Sequence, residues 1–397
     1  MKNSIFEQEM RVTRATAGQL PLNDKNENFD KHQDTMRLKK LLLINFKNLP
    51  QAEVTLSDGI NCFVGDNGAG KTNILDAVYY LSMSKSAFTM TDGQSVHHGE
   101  EFFVAEGSYM SDGGAMEMVN CSFSRKGGKV LKRNGKEYER IADHVGGFPV
   151  VISSPRDTEL ITDAAEERRR YLNGFISQLD RGYLASIMRY NTVLAERNRF
   201  LKGSSDEMML QIYDMQLAEH GTRVYERRKE IIERMQPMVE EYYRVLADDR
   251  EQVEMTYRSE LAEMPMADVL LRSRERDIFN QFTTAGVHRD DIIFRIGGYP
   301  LRKYGSQGQQ KSFLIALKLA QYRLLAEATG EKPILLLDDL FDKLDMGRVE
   351  KLLTLVGGED FGQILITDCN KVRLETTLER AGKEYALFMV EGGDIVR

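Results

Sequence analysis

The sequence Gly-Asp-Asn-Gly-Ala-Gly-Lys-Thr occupies residues 65–72 of this 397-residue chain. It matches the phosphate-binding pattern G-x-x-x-x-G-K-[ST] at every fixed position. Apolar residues at 60, 62, 63 and 64 predict a short buried strand before the loop, and apolar residues at 74, 77, 78 and 81 predict a helix after it. A loop in this setting directs backbone N–H groups and the positive end of a helix at one phosphate. The agreement of strand, loop and helix favours a nucleotide site over a chance glycine-rich turn.

The residue types in this loop point to ATP with Mg²⁺. Lys71 is expected to hold the β- and γ-phosphates and to take part in catalysis, and the Thr72 hydroxyl is expected to ligate Mg²⁺. The candidate nucleotide-binding residues of the loop are Gly65, Asp66, Asn67, Gly68, Ala69, Gly70, Lys71 and Thr72.

Composition restricts the class of protein. A hydrophobic share of 42% with a charged share of 29% is typical of a globular chain with a sizeable core. No apolar run approaches the roughly 18–20 residues of a membrane-spanning helix, so no membrane association is expected. The three cysteines, Cys62, Cys121 and Cys369, lack metal-site spacing and fit a reducing, cytoplasmic location. A net charge of −7 argues against polyanion binding over the whole surface and leaves local basic patches open.

The pattern of the chain predicts three parts. Residues 1–35 are polar and aperiodic, which predicts a disordered N-terminal extension or a segment upstream of a start at Met36. Residues 36–155 and 281–397 carry the strand and phosphate-site signals, with antiparallel strands near 102–138 and an Asn134-Gly135 hairpin turn. Residues 156–280 are charged and helical in pattern, with helices at 164–200 and 206–245 that only Pro237 is expected to interrupt. This arrangement predicts a discontinuous α/β head and an inserted helical arm.

A second phosphate-site element is predicted at residues 333–339, which read Pro-Ile-Leu-Leu-Leu-Asp-Asp. An apolar run closed by acids is typical of a central parallel strand whose end faces a nucleotide-bound metal ion. Asp338 is expected to hold Mg²⁺, and Asp339 is expected to orient or deprotonate the attacking water. An acid that merely ends a hydrophobic strand is the alternative, and pairing with the loop at Lys71 favours the catalytic interpretation.

A third element, Gly-Ser-Gln-Gly-Gln-Gln at 305–310, precedes a helix predicted from 311 to about 328. A serine in this position is also a common helix N-cap, so a purely structural role is the alternative. Its place shortly before the acidic strand favours a phosphate contact. The candidate binding residues here are Ser306, Gln307, Gly308 and Gln309.

Further motifs accompany these three. They are Leu38-Lys-Lys-Leu, Asn45-Phe-Lys-Asn-Leu, Ser154-Pro, Arg168-Arg-Arg-Tyr-Leu-Asn, Gly286-Val-His-Arg-Asp-Asp, Ser306-Gln-Gly-Gln-Gln-Lys and Asp338-Asp-Leu-Phe-Asp-Lys-Leu-Asp. In this order the chain from Met36 onward resembles the RecF family of bacterial recombination mediators, within the SMC/ABC-type ATPase group. The resemblance implies an ABC/SMC-type ATPase head, formed by a P-loop core and an antiparallel β lobe, with an inserted helical arm domain.

The chain departs from the family pattern in three places. Val287 stands where the family usually has proline, and Asn173 stands where it has an acid. Phe341-Asp342 replaces Ser-Glu in a loop that the resemblance places at a dimer contact. Details of that contact are therefore in question, whereas Asp338 and Asp339 are intact.

The resemblance also implies a mechanism and partners. ATP would lie between two copies, with Lys71, Thr72, Asp338 and Asp339 from one copy and Ser306 and Gly308 from the other. Hydrolysis would be slow, DNA-stimulated and coupled to release. The implied partners are duplex DNA, single-strand/double-strand junctions, RecR-like and RecO-like mediators and RecA, whose loading in gap repair and replication-fork recovery it would promote.

Two basic segments are candidate DNA surfaces. Residues 125–136 contain six Lys/Arg and no acid, and residues 168–202 contain eight Lys/Arg and two acids, a local net charge of +6. Such segments neutralise backbone phosphates without reading bases, although an ordinary solvated face is the alternative. The candidate residues are Lys129, Lys132, Arg133, Lys136, Arg168, Arg169 and Arg170. The role of His288, structural or nucleotide-sensing, stays open.

Two other functions remain in view. A nucleotide-gated scaffold without turnover is compatible with Asp339, because aspartate is shorter than the glutamate common at this position in related ATPases. The head of an SMC-like complex is disfavoured, since the interval from 155 to about 280 is too short for a long coiled coil.

Overall fold

The computed structural model describes residues 35–247, 251–342 and 344–397. The predicted N-terminal extension, residues 1–35, lies outside the described residues apart from Thr35. The strands, in chain order, are β1 (Arg37–Phe46), β2 (Leu49–Thr55), β3 (Ile60–Val64), β4 (Phe102–Met110), β5 (Met116–Ser124), β6 (Gly128–Arg133), β7 (Lys136–Glu137), β8 (Val150–Ser153), β9 (Val253–Arg258), β10 (Asp291–Ile296), β11 (Tyr299–Pro300), β12 (Ile334–Leu337), β13 (Ile364–Asp368), β14 (Tyr385–Glu391) and β15 (Asp394–Val396).

The helices lie between these strands along the chain. In chain order they are α1 (Lys71–Met83), α2 (Glu159–Thr162), α3 (Ala165–Leu179), α4 (Arg181–Leu201), α5 (Glu207–Ala247), α6 (Met266–Asn280), α7 (Leu301–Tyr304), α8 (Gln307–Thr329), α9 (Met346–Val356) and α10 (Lys371–Arg380).

A mainly parallel sheet forms the centre of the molecule, in the order β15-β14-β3-β13-β12-β8. Its inner strands are buried on both faces, as expected for a parallel sheet covered on both sides. In β3, Cys62 and Val64 contact one hydrophobic cluster and Phe63 contacts the other. In β12, Leu335 and Leu336 alternate between the same two clusters. This explains why β12 is an unbroken apolar run and why β3 is apolar apart from Asn61.

An antiparallel sheet, ordered β2-β1-β4-β5-β6-β7, makes the second layer. Strands β6 and β7 are joined at Asn134 and Gly135, both with positive φ, as the hairpin signal predicted. Helix α1 contributes Ile74, Leu75 and Val78 to the cluster that this sheet shares with the central one. The predicted α/β fold with a P-loop core and an antiparallel β lobe is confirmed.

The helices between β8 and β9 depart from the sequence prediction at two points. The segment predicted as one helix over 164–200 breaks at Asp180, whose carboxylate accepts a hydrogen bond from the N–H of Tyr183 and caps α4. Pro237 does not interrupt α5, so that expectation is wrong. The fully buried Met235 and Val239 on either side of it hold the helix against the core, which offsets the hydrogen bond that proline cannot donate.

Helices α3–α6 and α8 share one hydrophobic cluster with the central sheet. Helix α8 begins at Gln307, so the predicted start at 311 is also wrong. Ser306 caps the helix, and Gln307 to Gln310 form its first turn rather than a preceding loop. In the part of the chain that the structure describes, no helix combines the length and apolarity needed to cross a membrane.

Candidate nucleotide site at the edge of the central sheet

The site lies where three neighbouring parallel strands end. Strand β13 pairs with β3 on one side and with β12 on the other, all in parallel. Their carboxyl ends therefore meet at one edge of the sheet. The phosphate loop follows β3, and the two acids at 338 and 339 follow β12. The fold thus brings together two of the three predicted elements.

The glycines of the loop are required by its close packing. A Cβ atom on Gly65 would stand 2.1 Å from the carbonyl oxygen of Val390. Gly70 has φ 115°, and a Cβ there would come within 3.0 Å of Asn48. Only glycine tolerates these positions, so the backbone can curve with its N–H groups turned inward. The loop therefore fits a bound phosphate.

Lys71 and Thr72 begin α1, directly after this curve. Lys71 Nζ donates hydrogen bonds to the carbonyl oxygens of Gly65 at 2.7 Å and Asp66 at 2.8 Å. Its ammonium group is thereby held over the loop, where phosphate oxygens would bind. The first N–H groups of α1 add the positive end of the helix dipole at the same place.

Asp338 connects the loop to the acidic strand. Its Oδ1 accepts hydrogen bonds from Thr72 Oγ1 at 2.8 Å and from Thr367 Oγ1 at 2.7 Å. Burial raises the pKa of Asp338, against the lowering effect of the two threonine hydroxyls. A carboxylate and a hydroxyl in direct contact are oxygen donors of the kind that Mg²⁺ prefers. Thr72 and Asp338 are thus the pair that fits a magnesium ion.

Asp339 has an unusual backbone. Its φ is 49°, in the left-handed region that non-glycine residues seldom adopt, and its N–H donates to Thr367 Oγ1 at 2.9 Å. Backbone strain of this kind concentrates at functional sites. Among the described residues no donor is paired with its carboxylate, which is half-buried beside Asp338. This carboxylate is placed to meet a water molecule.

Sequence reasoning missed two contributors to this site. Thr367 contacts both acids through its hydroxyl, and Asn48 donates from Nδ2 to the carbonyl oxygen of Gly68 at 2.9 Å. Asn48 Oδ1 also accepts from Asn73 at 2.6 Å, which ties the β1–β2 turn to α1. The signal for Thr367 was available, because it ends an apolar run, 364–366, like the one before Asp338.

The signature element at 306–309 is a capped helix start. Ser306 Oγ accepts from the N–H of Gln309 at 3.3 Å, and Gln309 Oε1 accepts from the N–H of Ser306 at 2.7 Å. The N-cap role considered for Ser306 is thus present. It leaves the N–H groups of Gln307 and Gly308 without an intrahelical acceptor. Free N–H groups at a helix N-terminus are able to bind an anion.

The described part of the chain shows no hydrogen bond or ion pair between residues 306–309 and either the loop at 65–72 or the two acids. Gln309 Nε2 instead donates to Glu251 at 2.9 Å. Arg348 lies against the signature turn, where its Nη1 donates to Ser312 at 3.1 Å and would be 2.7 Å from a Cβ on Gly308. A single chain therefore does not join this element to the phosphate loop through such contacts.

In the first basic segment, residues 125–136, some of the cations form ion pairs within the protein. Lys129 pairs with Asp92 at 3.0 Å, and Arg133 pairs with Glu117, whose pKa is lowered mainly by that hydrogen bond. Lys132 and Lys136 have exposed side chains. Of the four residues predicted here, these two are the most available to a DNA phosphate.

The second basic segment is largely structural at its start. Arg168 forms a bidentate pair with Asp291, at 2.7 and 3.2 Å, and its side chain is only 11% exposed. Arg169 donates to the carbonyl oxygen of Asp290 at 2.7 Å, and burial lowers its pKa. Arg170 is more exposed but pairs with glutamates on its own helix. Both guanidinium groups are engaged inside the protein and are less available to a DNA phosphate, so the contact of Arg168 and Arg169 with DNA stays a prediction.

Two departures from the family pattern meet at one buried arginine. Arg228 donates to the carbonyl oxygen of Val287 at 2.8 Å and to Asn173 Oδ1 at 2.9 Å. Its charge is balanced by Asp290, 3.5 Å away, so a neutral amide suffices at 173. The third departure, Phe341, is buried beneath the guanidinium of Arg373, 3.8 Å from the ring centroid.

Comparisons with known proteins agree with this geometry. The AAA ATPase domain family model matches residues 36–134. The DNA replication and repair protein RecF of Phocaeicola vulgatus is 44% identical over 363 residues, covering 91% of this chain and 98% of the relative. The RecF protein of Flavobacterium johnsoniae is 42% identical over 358 residues, covering 89% and 99%.

Solved structures show the same relationship. The recombination mediator protein RecF-ATP in the RecFOR pathway superimposes with a TM-score of 0.82 at 30% identity, covering 93% of this chain and 99% of that one. An Smc head domain from Pyrococcus furiosus, with an extended coiled coil and bound to the C-terminal domain of ScpA, has a TM-score of 0.55 at 15% identity and shows the shared fold alone.

The fold and the site define an ATP-binding P-loop ATPase of the ABC/SMC type. Within that class, the chain belongs to the RecF family of DNA replication and repair proteins, recombination mediators.

Proposed function

We propose that this protein is an ATP-dependent DNA-binding recombination mediator in which ATP joins two copies of the chain. The observation that carries the proposal is the separation of the phosphate-binding groups within one chain. Lys71, Thr72 and Asp338 lie at the sheet edge, where Thr72 donates a hydrogen bond to Asp338. The amides of Gln307 and Gly308 lie at a helix start, with no hydrogen bond to these residues in the described part of the chain. A second copy would bring such a helix start to the γ-phosphate.

The γ-phosphate is then the group that touches both copies. A ligand shifts an equilibrium only by its differential affinity for the two states, so loss of this phosphate would remove the stabilisation of the closed dimer. ATP would act as the bridge and hydrolysis as the release step.

The proposed division of labour follows the contacts. Lys71 holds the phosphates, Thr72 and Asp338 hold Mg²⁺, and Asp339 orients the water. When bound, Mg²⁺ would neutralise charge that develops on the phosphate oxygens. Thr367 positions both acids through one hydroxyl. Because an aspartate reaches less far than a glutamate, we propose that hydrolysis is slow and that DNA stimulates it.

We propose duplex DNA and single-strand/double-strand junctions as the nucleic-acid partners. The support is the exposed pair Lys132 and Lys136 at the β6–β7 hairpin. RecR-like and RecO-like proteins, and RecA as the recombinase to be loaded in gap repair and fork recovery, are proposed from the family. The same applies to the division into a head, 36–155 and 281–397, and a helical arm, 156–280.

Particle mass in solution tests this function. Light scattering would be recorded without nucleotide, with ATP, with a non-hydrolysable analogue, and with analogue plus duplex DNA. A doubling of mass with analogue supports the shared site, and an unchanged mass in all four conditions contradicts it.

A nucleotide-gated scaffold is the second candidate, favoured by the short Asp339 side chain. Steady-state phosphate release with and without gapped duplex separates the two. DNA-stimulated release supports the ATPase, and tight ATP binding with no release supports the scaffold. The head of an SMC-like complex would need a long coiled coil. Helices α4 and α5, with 21 and 41 residues, are too short to form one.

A further inference from the structure

A cavity of about 750 Å³ lies beside the central sheet, apart from the nucleotide site described above. It opens between the segment 85–90 that follows α1, the segment after β8, and helices α3 and α8. None of the described residues lining it belongs to the loop at 65–72, the acids 338 and 339, or the signature at 306–309. Its volume lies in the range typical of small-molecule sites.

Two buried polar groups at this cavity have no partner within the described chain. Gln321, on α8, is 6% exposed, and its Oε1 atom is buried without a hydrogen bond. The hydroxyl of Tyr171, on α3, is likewise buried and unpaired. An unpaired buried polar group costs about 1–3 kcal/mol, and native structures contain few of them. Both groups would be satisfied by a ligand that offers hydrogen bonds inside the cavity.

The walls fit a planar aromatic ligand. Four aromatic residues line the cavity together with Gln321: Tyr79, Phe88, Tyr171 and Phe175. A glutamine amide presents an acceptor and a donor side by side, which complements the N6–H group and adjacent ring nitrogen of adenine. Aromatic side chains stack on bases, since every base offers a π face.

Two ion pairs at the cavity balance their own charge. Lys318 pairs with Asp157 at 2.8 Å, and Arg170 pairs with Glu167 at 2.9 Å. Lys318 Nζ also lies 5.0 Å from the centroid of the Tyr171 ring. These pairs help to shape the cavity without leaving charge for a ligand.

Two other cations at the cavity have no carboxylate partner among the described residues. They are the exposed Lys85 and Arg156, and Glu159 is the acid that remains unpaired beside them. Arg156 donates to the carbonyl oxygen of Phe88 at 2.6 Å, and its guanidinium lies 5.7 Å from the Phe88 ring centroid. Two exposed cations beside an aromatic wall are suited to a phosphate whose base lies inside.

We propose that this cavity is a second nucleotide site, separate from the phosphate loop, which takes an adenine nucleotide. The base lies inside the cavity with its edge on the Gln321 amide and the Tyr171 hydroxyl, and the phosphate lies near Lys85 and Arg156. The same chemistry is offered by a free mononucleotide and by the 5′-phosphorylated end of a DNA strand.

Calorimetric titration of the full chain tests this site. The ligands are AMP, GMP and a 5′-phosphorylated single-stranded oligonucleotide that begins with dA. Each is titrated into the original chain and into Lys71→Met, which removes the phosphate-loop contribution. Tyr171→Phe and Gln321→Met, made in both backgrounds, remove the two unpaired groups with little change of shape. Tyr213→Phe is the matched control, because Tyr213 packs on Phe200 and does not line the cavity.

We expect AMP to bind Lys71→Met, GMP to bind about tenfold more weakly, and either cavity substitution to weaken AMP by about tenfold. Without nucleotide, Tyr171→Phe should leave Tm unchanged or higher, since it deletes an unpaired buried hydroxyl. Binding of the oligonucleotide but not of AMP, with the same dependence on Tyr171 and Gln321, assigns the site to a strand end and also supports it. The proposal would be overturned if neither Tyr171→Phe nor Gln321→Met changed the affinity for AMP or for the oligonucleotide.

Discussion

Thr72 Oγ1 donates a 2.8 Å hydrogen bond to Asp338 Oδ1 across 266 positions of sequence. This bond joins the start of α1 to the end of β12, the two elements that carry the predicted metal ligands. Because a threonine hydroxyl and an aspartate are already in contact, the oxygen donors for Mg²⁺ need little rearrangement.

Lys71→Met is expected to abolish ATP binding at the phosphate loop. The Lys71 ammonium is the cation held over the loop by two carbonyl oxygens, and methionine retains the length of the side chain without the charge. Affinity would be measured by calorimetry with Mg²⁺-ATP. Lys202→Met, at an exposed position after α4, is the control and should bind normally. ATP binding to Lys71→Met that persists when Tyr171→Phe or Gln321→Met is added would contradict the assignment of the loop.

Ser306→Arg is expected to leave ATP binding intact and to block dimer formation. The arginine would fill the space before the N–H groups of Gln307 and Gly308, which we propose contact the partner's nucleotide. Mass in solution with a non-hydrolysable analogue measures the effect, and Ser204→Arg in the exposed α4–α5 connection is the control. Normal ATP-dependent dimerisation of Ser306→Arg would rule out the shared site.

Replacing Lys132 and Lys136 together by alanine is expected to weaken duplex binding at low salt. Each lost phosphate contact should reduce the slope of log affinity against log salt by about 1. Lys229→Ala, on the exposed face of α5, is the control. If the double variant binds with the original affinity and salt slope, DNA lies on another surface.

Arg197→Met is expected to destabilise the protein by about 3–5 kcal/mol, because it leaves the buried Asp277 without its cation and leaves Asp214 with Arg274 alone. The guanidinium of Arg197 is fully buried and bonds to Asp214 at 2.9 Å and Asp277 at 2.8 Å. Urea unfolding measures the loss, and the exposed Arg199→Met is the control. A loss below about 1 kcal/mol would show that these carboxylates find other partners.

His288 is expected to make stability depend on pH. Burial lowers its pKa to about 4, while Nε2 donates to the Thr283 carbonyl oxygen at 3.0 Å and Nδ1 accepts from the Tyr190 hydroxyl at 2.8 Å. The unfolded residue has a pKa of about 6.5, so the unfolded state binds more protons between these values. The contribution to the free energy of unfolding is therefore complete above about pH 6.5 and is lost as pH falls towards 4.

The test compares urea unfolding of the original chain and of His288→Gln across this pH window. The original chain should lose up to about 3 kcal/mol more than His288→Gln between the two ends. His98→Gln, at an exposed position, should follow the original chain. Parallel curves for all three proteins would exclude His288 as the source.

Local patterns were enough to locate the phosphate loop, the acidic strand and the Asn134-Gly135 hairpin. Each depends on residues adjacent in sequence, so backbone geometry and hydrophobic spacing reveal them directly. Features that depend on individual side-chain contacts or on burial were predicted wrongly. The break at Asp180 depends on one side-chain cap, and the continuity of α5 through Pro237 depends on burial of its neighbours.

The kind of site could be predicted from sequence alone, because G-x-x-x-x-G-K-[ST] and an acid-ended apolar strand carry their chemistry in consecutive residues. The contacts of Thr367 with Asp338 and Asp339, and the pairing of Arg168 with Asp291, 123 positions away, are visible only in the folded chain. Whether a charged side chain meets solvent or a buried partner depends on chain segments that come together only on folding.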